Sequence, residues 1–478
     1  MSLQTVWQRT LDFPSDRPLV IEPSTALPSS DAGLLPIRQL DEHLGLTRQF
    51  ADALDDPRDP HRIAHGVRDR VRARVYGILA AYEDPNDHDA LRHDPVFELV
   101  ADRAPDGPDL ASQPTLSRFE NAINIPSLER LRDLPIDQFI ASFAQPPAVL
   151  TFDLDAVDDP THGQQQLSLF HGYFDQCQYF PASIASADTD RVVVLSLRPG
   201  AVPAALGADD DLERLVVRLR QAWPHVRIHA RGDAGYGMPW MYAACERLGI
   251  DYTFGLASNA VLERESDELL ARAVAAFTAT GQPQRSFRGF DYRAGSWPEP
   301  RWVVVEAEAQ TQGTNRRFIV ANRPGARVLP EPTYDDYALR GESENRNEEL
   351  KCDLAIDRTS DHRFPANFFR LYLHALALNP LVRLRRAVAC PPPPTETDTP
   401  AEALAGEARR RYFRRRRQHD PWGEGQPCTW RTLLIEVAAE VRVSSRRIVV
   451  RLSRSWPYLD WYERVCRYLE SLRPRPTG

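Results

Sequence analysis

The stretch from Tyr337 to Lys351, YALRGESENRNEELK, spaces four reactive side chains at intervals of three, four and seven residues. On an ideal helix, at about 100° per residue, Tyr337, Arg340, Glu344 and Lys351 fall within about 60° of one another. The stripe spans about four turns, roughly 21 Å. A phenol, a guanidinium and an ammonium along one line can grip neighbouring phosphates while the carboxylate takes a cation. Composition sharpens the point. Of 59 Lys+Arg residues only Lys351 is lysine, leaving 59 − 1 = 58 arginines. A compact, strongly hydrated ammonium differs from a broad planar fork, and a crowded phosphate site can require the former.

Two further acidic groups end apolar runs: Asp155 closes AVLTFDLD, and Asp233 follows VRIHA in the sequence Arg231-Gly232-Asp233. Three carboxylates on separate elements, Asp155, Asp233 and Glu344, form a donor set suited to two hard divalent cations. Mg²⁺ takes oxygen ligands and is anchored by few carboxylates plus substrate phosphate. Two such ions about 4 Å apart activate the attacking oxygen and stabilise the leaving oxygen of an in-line phosphoryl displacement. Asp153 is the alternative first ligand; Asp155 is preferred because it stands nearer the strand's end. His162, Gln164 and Gln165 read as a structural turn after that strand, and Asp158 and Asp159 as solvated.

These groups need a scaffold. AVLTFDLD reads as a buried strand, followed by strand candidates QLSLFHGYF and RVVVLSLR. A helix at about residues 210–223, the strand VRIHA, a helix opened by Pro239 and the strand DYTFGL complete the series. Three strands, helix, strand, helix, strand is the order of a ribonuclease-H-like core. Between Asp233 and Glu344 lie 344 − 233 − 1 = 110 residues, more than one helix and strand need. The surplus contains SFRGFDYRAGSW, RWVVVEAEAQ and RRFIVANRPG, which alternate as antiparallel ribbons do. The expected class is therefore α/β: a ribonuclease-H-like catalytic core interrupted by a β-rich insertion, with a helical N-terminal domain and a basic C-terminal region. The expected boundaries are 1–140 for the helical DNA-binding domain, 147–260 and 333–390 for the two parts of the core, 261–332 for the insertion and 391–478 for the basic region.

In the flanks, residues 1–35 read as an irregular arm, and Arg68, Arg70, Arg72 and Arg74 load one N-terminal helix with positive charge. FPANFFRLYLHALALNPLVRLRRAV is apolar enough for a core-packed helix, and a Pro391–Pro394 linker leads to EARRRYFRRRRQ, seven arginines including Arg414 and Arg415 around Tyr412 and Phe413. TLLIEVAAEVRV and RRIVVRLSRS form an expected strand pair across Ser444-Ser445, before an aromatic-rich terminal helix. The net charge of −8 hides a gradient. From Arg370 onward 21 Arg face 11 Asp+Glu, so 21 − 11 = +10, leaving −18 for the rest. That asymmetry suits a polyanion-binding tail beside a carboxylate-rich centre. Apolar content of 42% with 26% charge describes a globular chain. Six scattered cysteines without a CxxC, no signal pattern and no apolar run of membrane length indicate a cytoplasmic protein with no membrane partner.

Tyr337-x2-Arg340-x3-Glu344-x6-Lys351 resembles the signature of the YREK branch of bacterial insertion-sequence transposases, which carry an Asp-Asp-Glu triad on a ribonuclease-H-like core. FDLDAVDDPTHGQQQLSLFHGYFDQCQYFP, RGDAGYG and RGESENRNEELKCDLAIDRTSDHRF are similar to a group within that branch with Asp-x-Asp, His-Gly-x-Gln and Arg-Gly-Asp segments. The likeness covers roughly residues 35–457. It implies that Asp155, Asp233 and Glu344 are the catalytic ligands of two Mg²⁺ ions, with Mn²⁺ able to substitute. It implies that Tyr337, Arg340 and Lys351 hold double-stranded terminal DNA, and that a homodimer cleaves the paired ends and joins their 3′ ends into target DNA. In hairpin-forming relatives an insertion-domain Trp stacks on a flipped base, which makes Trp297 and Trp302 candidates. The first motif departs from the family, with Ala156 and Val157 where Ser or Thr usually follows. A metal-dependent nuclease without strand transfer and a catalytically idle DNA-end-binding protein are the competing readings.

Overall fold

Eight strands form one mixed sheet in the computed structural model, which describes residues 8–11, 19–21, 26–388 and 425–472. They are β1 (Val149–Ala156), β2 (Ala182–Ser186), β3 (Val192–Ser196), β4 (Arg227–Gly232), β5 (Asp251–Leu256), β6 (Gln284–Tyr292), β7 (Arg301–Gln310) and β8 (Gly313–Ala321). The spatial order is β6-β7-β8-β5-β4-β1-β2-β3. β1, β4 and β5 run parallel; β2 and β3 extend one side as an antiparallel meander, and β8, β7 and β6 extend the other.

The sheet's two faces differ because side chains alternate along a strand. Leu150, Phe152 and Leu154 of β1, Ile228 and Ala230 of β4, and Val303, Val305 and Ala307 of β7 share an apolar core. That core is covered by α1 (Ile125–Ile140), α2 (Ala208–Ala222), α3 (Pro239–Leu248) and α4 (Ala260–Thr280). The intervening positions, Asp153, His229, Arg231 and Glu306, are polar yet buried. Over this second face lie α5 (Pro330–Ala338) and α6 (Glu342–Glu348). Val304, Ile319 and Tyr334 form a small apolar cluster on this face, and the buried polar groups around it must be satisfied by pairing.

The second core strand corrects the sequence reading. QLSLFHGYF is not in the main sheet; Leu169–His171 pairs with Gln176–Tyr179 in a separate three-stranded sheet completed by Asp159–Pro160. The true β2 is ASIAS, small residues that carry no strand signature. Their size lets α6 approach closely: Ser183 donates to Asn347 Oδ1 at 3.3 Å. The stretch expected to be a β-rich insertion also opens with α4, capped by Asn259 accepting from Val261 and Leu262 N–H.

A second apolar core surrounds α7 (Phe364–Val388), which is buried on nearly every side. N-terminal residues such as Ile37, Val75 and Phe97 and C-terminal residues such as Trp430 and Val465 pack into this same core. The strand Leu27–Ser29 pairs with Ala439–Val443, which pairs with Ile448–Leu452, so the chain's two ends are knitted together. Arg70, Arg72 and Arg74 point inward, at 5%, 2% and 0% exposure, and are spent on internal partners. Arg74 donates to Glu120 at 2.6 Å, Arg72 to Thr47 at 3.0 Å, and Arg70 lies over the Phe119 ring. Only Arg68 of that set is exposed. No helix among the described residues is long and apolar enough to cross a membrane.

Candidate functional site

β1 and β4 are parallel neighbours, with Leu154 opposite Gly232. The next residues, Asp155 and Asp233, therefore leave the same end of adjacent strands, whose spacing is about 4.8 Å. Asp155 Oδ1 accepts the Ala156 N–H at 2.9 Å and Oδ2 accepts the Ser343 hydroxyl at 3.2 Å. Burial pushes its carboxyl up to about 6; Arg340 pulls it down and neighbouring Asp233 pushes it further up. Asp233 accepts the Gly235 N–H at 2.8 Å, opening a turn over 234–236. β5 passes close behind. A Cβ on Gly255 would stand 2.6 Å from Ala234 N and 2.8 Å from Tyr337 Oη, so only glycine fits between them.

Arg340 occupies the middle of the site. Its guanidinium is 3.6 Å from Asp155 Oδ2 and 3.2 Å from Glu344 Oε1. Burial would lower its pKa, but Asp155, Tyr337, Asp233 and Glu344 outweigh this and raise it. Burial likewise raises the Tyr337 phenol, opposed by a hydrogen bond and charge from Arg340. Glu344 stays 67% exposed. Five of the six expected groups, Tyr337, Arg340, Glu344, Asp155 and Asp233, are thus brought together.

Lys351 is not on their stripe. The expected continuous helix is broken: α5 ends at Ala338, a 3₁₀ turn covers Leu339–Gly341, α6 follows, and Glu349–Asp353 is a π turn. Each change of winding shifts the angular phase. The Lys351 ammonium instead donates to Asp158, to its carbonyl at 3.0 Å and its carboxylate at 2.8 Å. Asp158 is therefore paired rather than free in water. Asp159 is also not solvated: it is 1% exposed and accepts from Thr359 at 3.0 Å. The turn reading of the next residues fits their contacts, with Gln165 donating to the Thr359 carbonyl at 3.3 Å and His162 exposed.

Asp153 has a different occupation from Asp155. Arg231 forks onto it, and the pair is buried beneath the site. Arg231 was invisible as a site component in the sequence, although one signal was there. Asp153 precedes Asp155 by two, as Arg231 precedes Asp233, so strand alternation puts each pair on one face. Trp297 is 4% exposed and packs edge-on against Tyr242 and Tyr292. Trp302 donates to the Ala326 carbonyl at 3.0 Å, covers Gly289 and carries Arg327 against its ring. Arg414 and Arg415 lie outside the described residues.

Hard oxygen donors suit Mg²⁺ or Mn²⁺, and Asp155 with Asp233 supplies a paired edge. Among the described residues no three His, Cys, Asp or Glu side chains are already drawn in around one point. The Arg340 guanidinium lies between Asp155 and Glu344 and offers positive charge to both. In comparisons with known proteins, the profile of the family Transposase DDE domain group 1 matches residues 15–397, which include all six expected groups. No curated protein matches the chain.

Proposed function

The chain belongs to the Transposase DDE domain group 1 family, and on that premise we propose that it is a DNA transposase of the YREK-signature branch, on a ribonuclease-H-like core. It cleaves DNA at the ends of a bacterial insertion sequence and joins the 3′ ends into target DNA, working in the cytoplasm as a homodimer on paired ends. The strand order β3-β2-β1-β4-β5 supports the core assignment. The observation that carries the function is the meeting of Asp155 and Asp233 at neighbouring strand ends with Tyr337, Arg340 and Glu344 against them.

Asp155, Asp233 and Glu344 would hold two Mg²⁺ (or Mn²⁺) ions, whose chemistry is activation of the attacking oxygen and stabilisation of the leaving one. The chain's own groups do the positioning. Arg340 offers a guanidinium to a phosphate beside the scissile bond, and Tyr337 orients that guanidinium through its hydroxyl. Lys351, half-buried near Asp158, offers a compact charge further along the strand. The basic region 391–478, with Arg414 and Arg415, would add sequence-independent phosphate contacts.

A duplex carrying the terminal inverted repeats beside the gene, incubated with Mg²⁺ or Mn²⁺, tests this. The wild-type protein cuts the ends and joins them to a second duplex. Asp233→Ala and Glu344→Gln bind the duplex without cutting it. Unchanged cleavage in either variant removes the mechanism, and cleavage without joining leaves a nuclease.

A further inference from the structure

The small sheet after β1 ends in a hairpin, Leu169–His171 and Gln176–Tyr179, which carries large apolar side chains into solvent at its turn, on its first strand and just before that strand. Tyr173 is 87% exposed, Phe170 57%, Leu167 49% and Leu169 43%. The Tyr173 ring is not loose. Phe180, which is buried, is 5.3 Å from His171 and 5.7 Å from Phe174; Phe174 is 5.0 Å from both His171 and Tyr173. An aromatic ladder thus runs from the protein's interior out to Tyr173. Arg198 clamps its inner end, lying over the Phe180 ring and donating to the Phe180 carbonyl at 2.8 Å. Leu167 enters the hairpin at φ 63°, a left-handed conformation that a leucine adopts only under constraint.

The hairpin is rooted beside the carboxylates. Asp158, three residues after Asp155, accepts from Lys351 at 2.8 Å and from Gln176 of the hairpin at 3.4 Å. Size decides between occupants. The four exposed side chains offer on the order of 400 Å², about half of what each partner buries in a standard protein interface. A narrow, rigid, aromatic projection matches instead the apolar wedges that enter between base steps of a kinked duplex. Tyr and Phe faces stack on any base, so such a wedge acts through ring stacking and not through base-edge contacts.

We propose that the hairpin is a DNA wedge, in which Tyr173 and Phe170 stack on bases unpaired beside the scissile phosphate. The proposal rests on the transposase reading and adds to it a binding element, adjoining the acidic site, that contributes none of its carboxylates. The probe is a short duplex carrying the terminal repeat, nicked at the element boundary, with 2-aminopurine beside the nick. Wild-type protein shifts the probe's fluorescence through stacking. Tyr173→Ala combined with Phe170→Ala loses that shift and raises Kd roughly tenfold or more, with thermal unfolding unchanged, since both side chains are exposed. Tyr173→Trp keeps the shift. If the double variant binds, distorts and cuts like wild type, the wedge is overturned while the transposase reading stands. If its only change is loss of self-association in sedimentation, the hairpin is a subunit contact and the wedge is likewise overturned. If wild-type protein binds no DNA of any form, both readings fall together.

Discussion

Arg231 and Asp153 form a two-pronged ion pair, Nε to Oδ1 at 2.6 Å and Nη2 to Oδ2 at 2.8 Å, with neither side chain more than 3% exposed. The remaining prong, Nη1, donates to the Asp336 carbonyl at 2.6 Å, next to Tyr337. One guanidinium therefore ties together β1, β4 and α5, the three elements that bring Asp155, Asp233 and Tyr337 to one place. Removing one partner leaves a charge buried alone, so Arg231→Met is expected to cost about 3–5 kcal/mol. Replacing both, Arg231→Met with Asp153→Leu, should recover most of that loss. Urea denaturation of the three proteins checks it; a double variant no more stable than the single one would show that the ion pair is not what the fold depends on here.

Asp153 and Asp155 sit two residues apart on the same face of β1, yet their substitutions should act on different properties. Asp153→Asn strips Arg231 of its counter-charge and should lower the urea midpoint sharply. Asp155→Asn removes a desolvated carboxylate crowded by Asp233 and should leave stability unchanged or raised. Cleavage should vanish in Asp155→Asn. Paired stability and cleavage measurements on both variants would expose an exchange of these roles.

Much of this arrangement is legible in the chain. The apolar runs ending in Asp155 and Asp233, the apolar-rich stretch of α7 and the alternating β6–β8 ribbon carry strong signals. The helix expected from Tyr337 requires constant winding, which the chain does not keep. A 3₁₀ turn and a π turn alter the advance per residue, which keeps Arg340 beside Glu344 but carries Lys351 away. β2 was missed since Ala and Ser do not announce a strand; they are there to admit α6. Arg70, Arg72 and Arg74 read as positive charge on an N-terminal DNA-binding helix because sequence shows charge but not the Asp56, Asp102 and Glu120 carboxylates that pair with it.

Lys351 touches Asp158 through a single ammonium that serves both a carbonyl and a carboxylate oxygen. A guanidinium is a wider, planar fork, so it cannot bring its donors to those two oxygens from the compact position the ammonium occupies. The bridge is 29% and 31% exposed at its two ends, so its own worth is at most about 1 kcal/mol. Lys351→Arg is therefore expected to keep the urea midpoint within that margin while slowing single-turnover cleavage by about tenfold. A wild-type rate would return the chain's one lysine to coincidence.

The Arg74–Glu120–Arg370 cluster should govern acid stability. Both arginines donate to Glu120 at 2.6 Å, and all three side chains are buried. Burial alone would raise the Glu120 carboxyl, but Arg74 and Arg370 outweigh it and hold it near 2, against an ordinary 4.5. Its stabilisation is thus fully present above about pH 4.5 and is lost as pH falls toward 2. His88, 3.3 Å from Arg74, is pushed the same way, to about 3 from 6.5, by burial and by that guanidinium. Unfolded His88 takes up a proton below pH 6.5 that the folded protein refuses, so its contribution begins to fall there. Acidification from pH 7 should therefore erode stability first through His88 and the similarly buried His229 and His374, which burial also pushes down, and then, below about pH 4.5, through Glu120. In Glu120→Gln the loss at neutral pH should be several kcal/mol, and the extra slope below pH 4.5 should disappear. Urea midpoints of the two proteins between pH 3 and 7 test this directly, because subtracting one curve from the other removes the titrations that both share. A difference that stays flat across that range would mean that Glu120 is not held ionised by its two arginines.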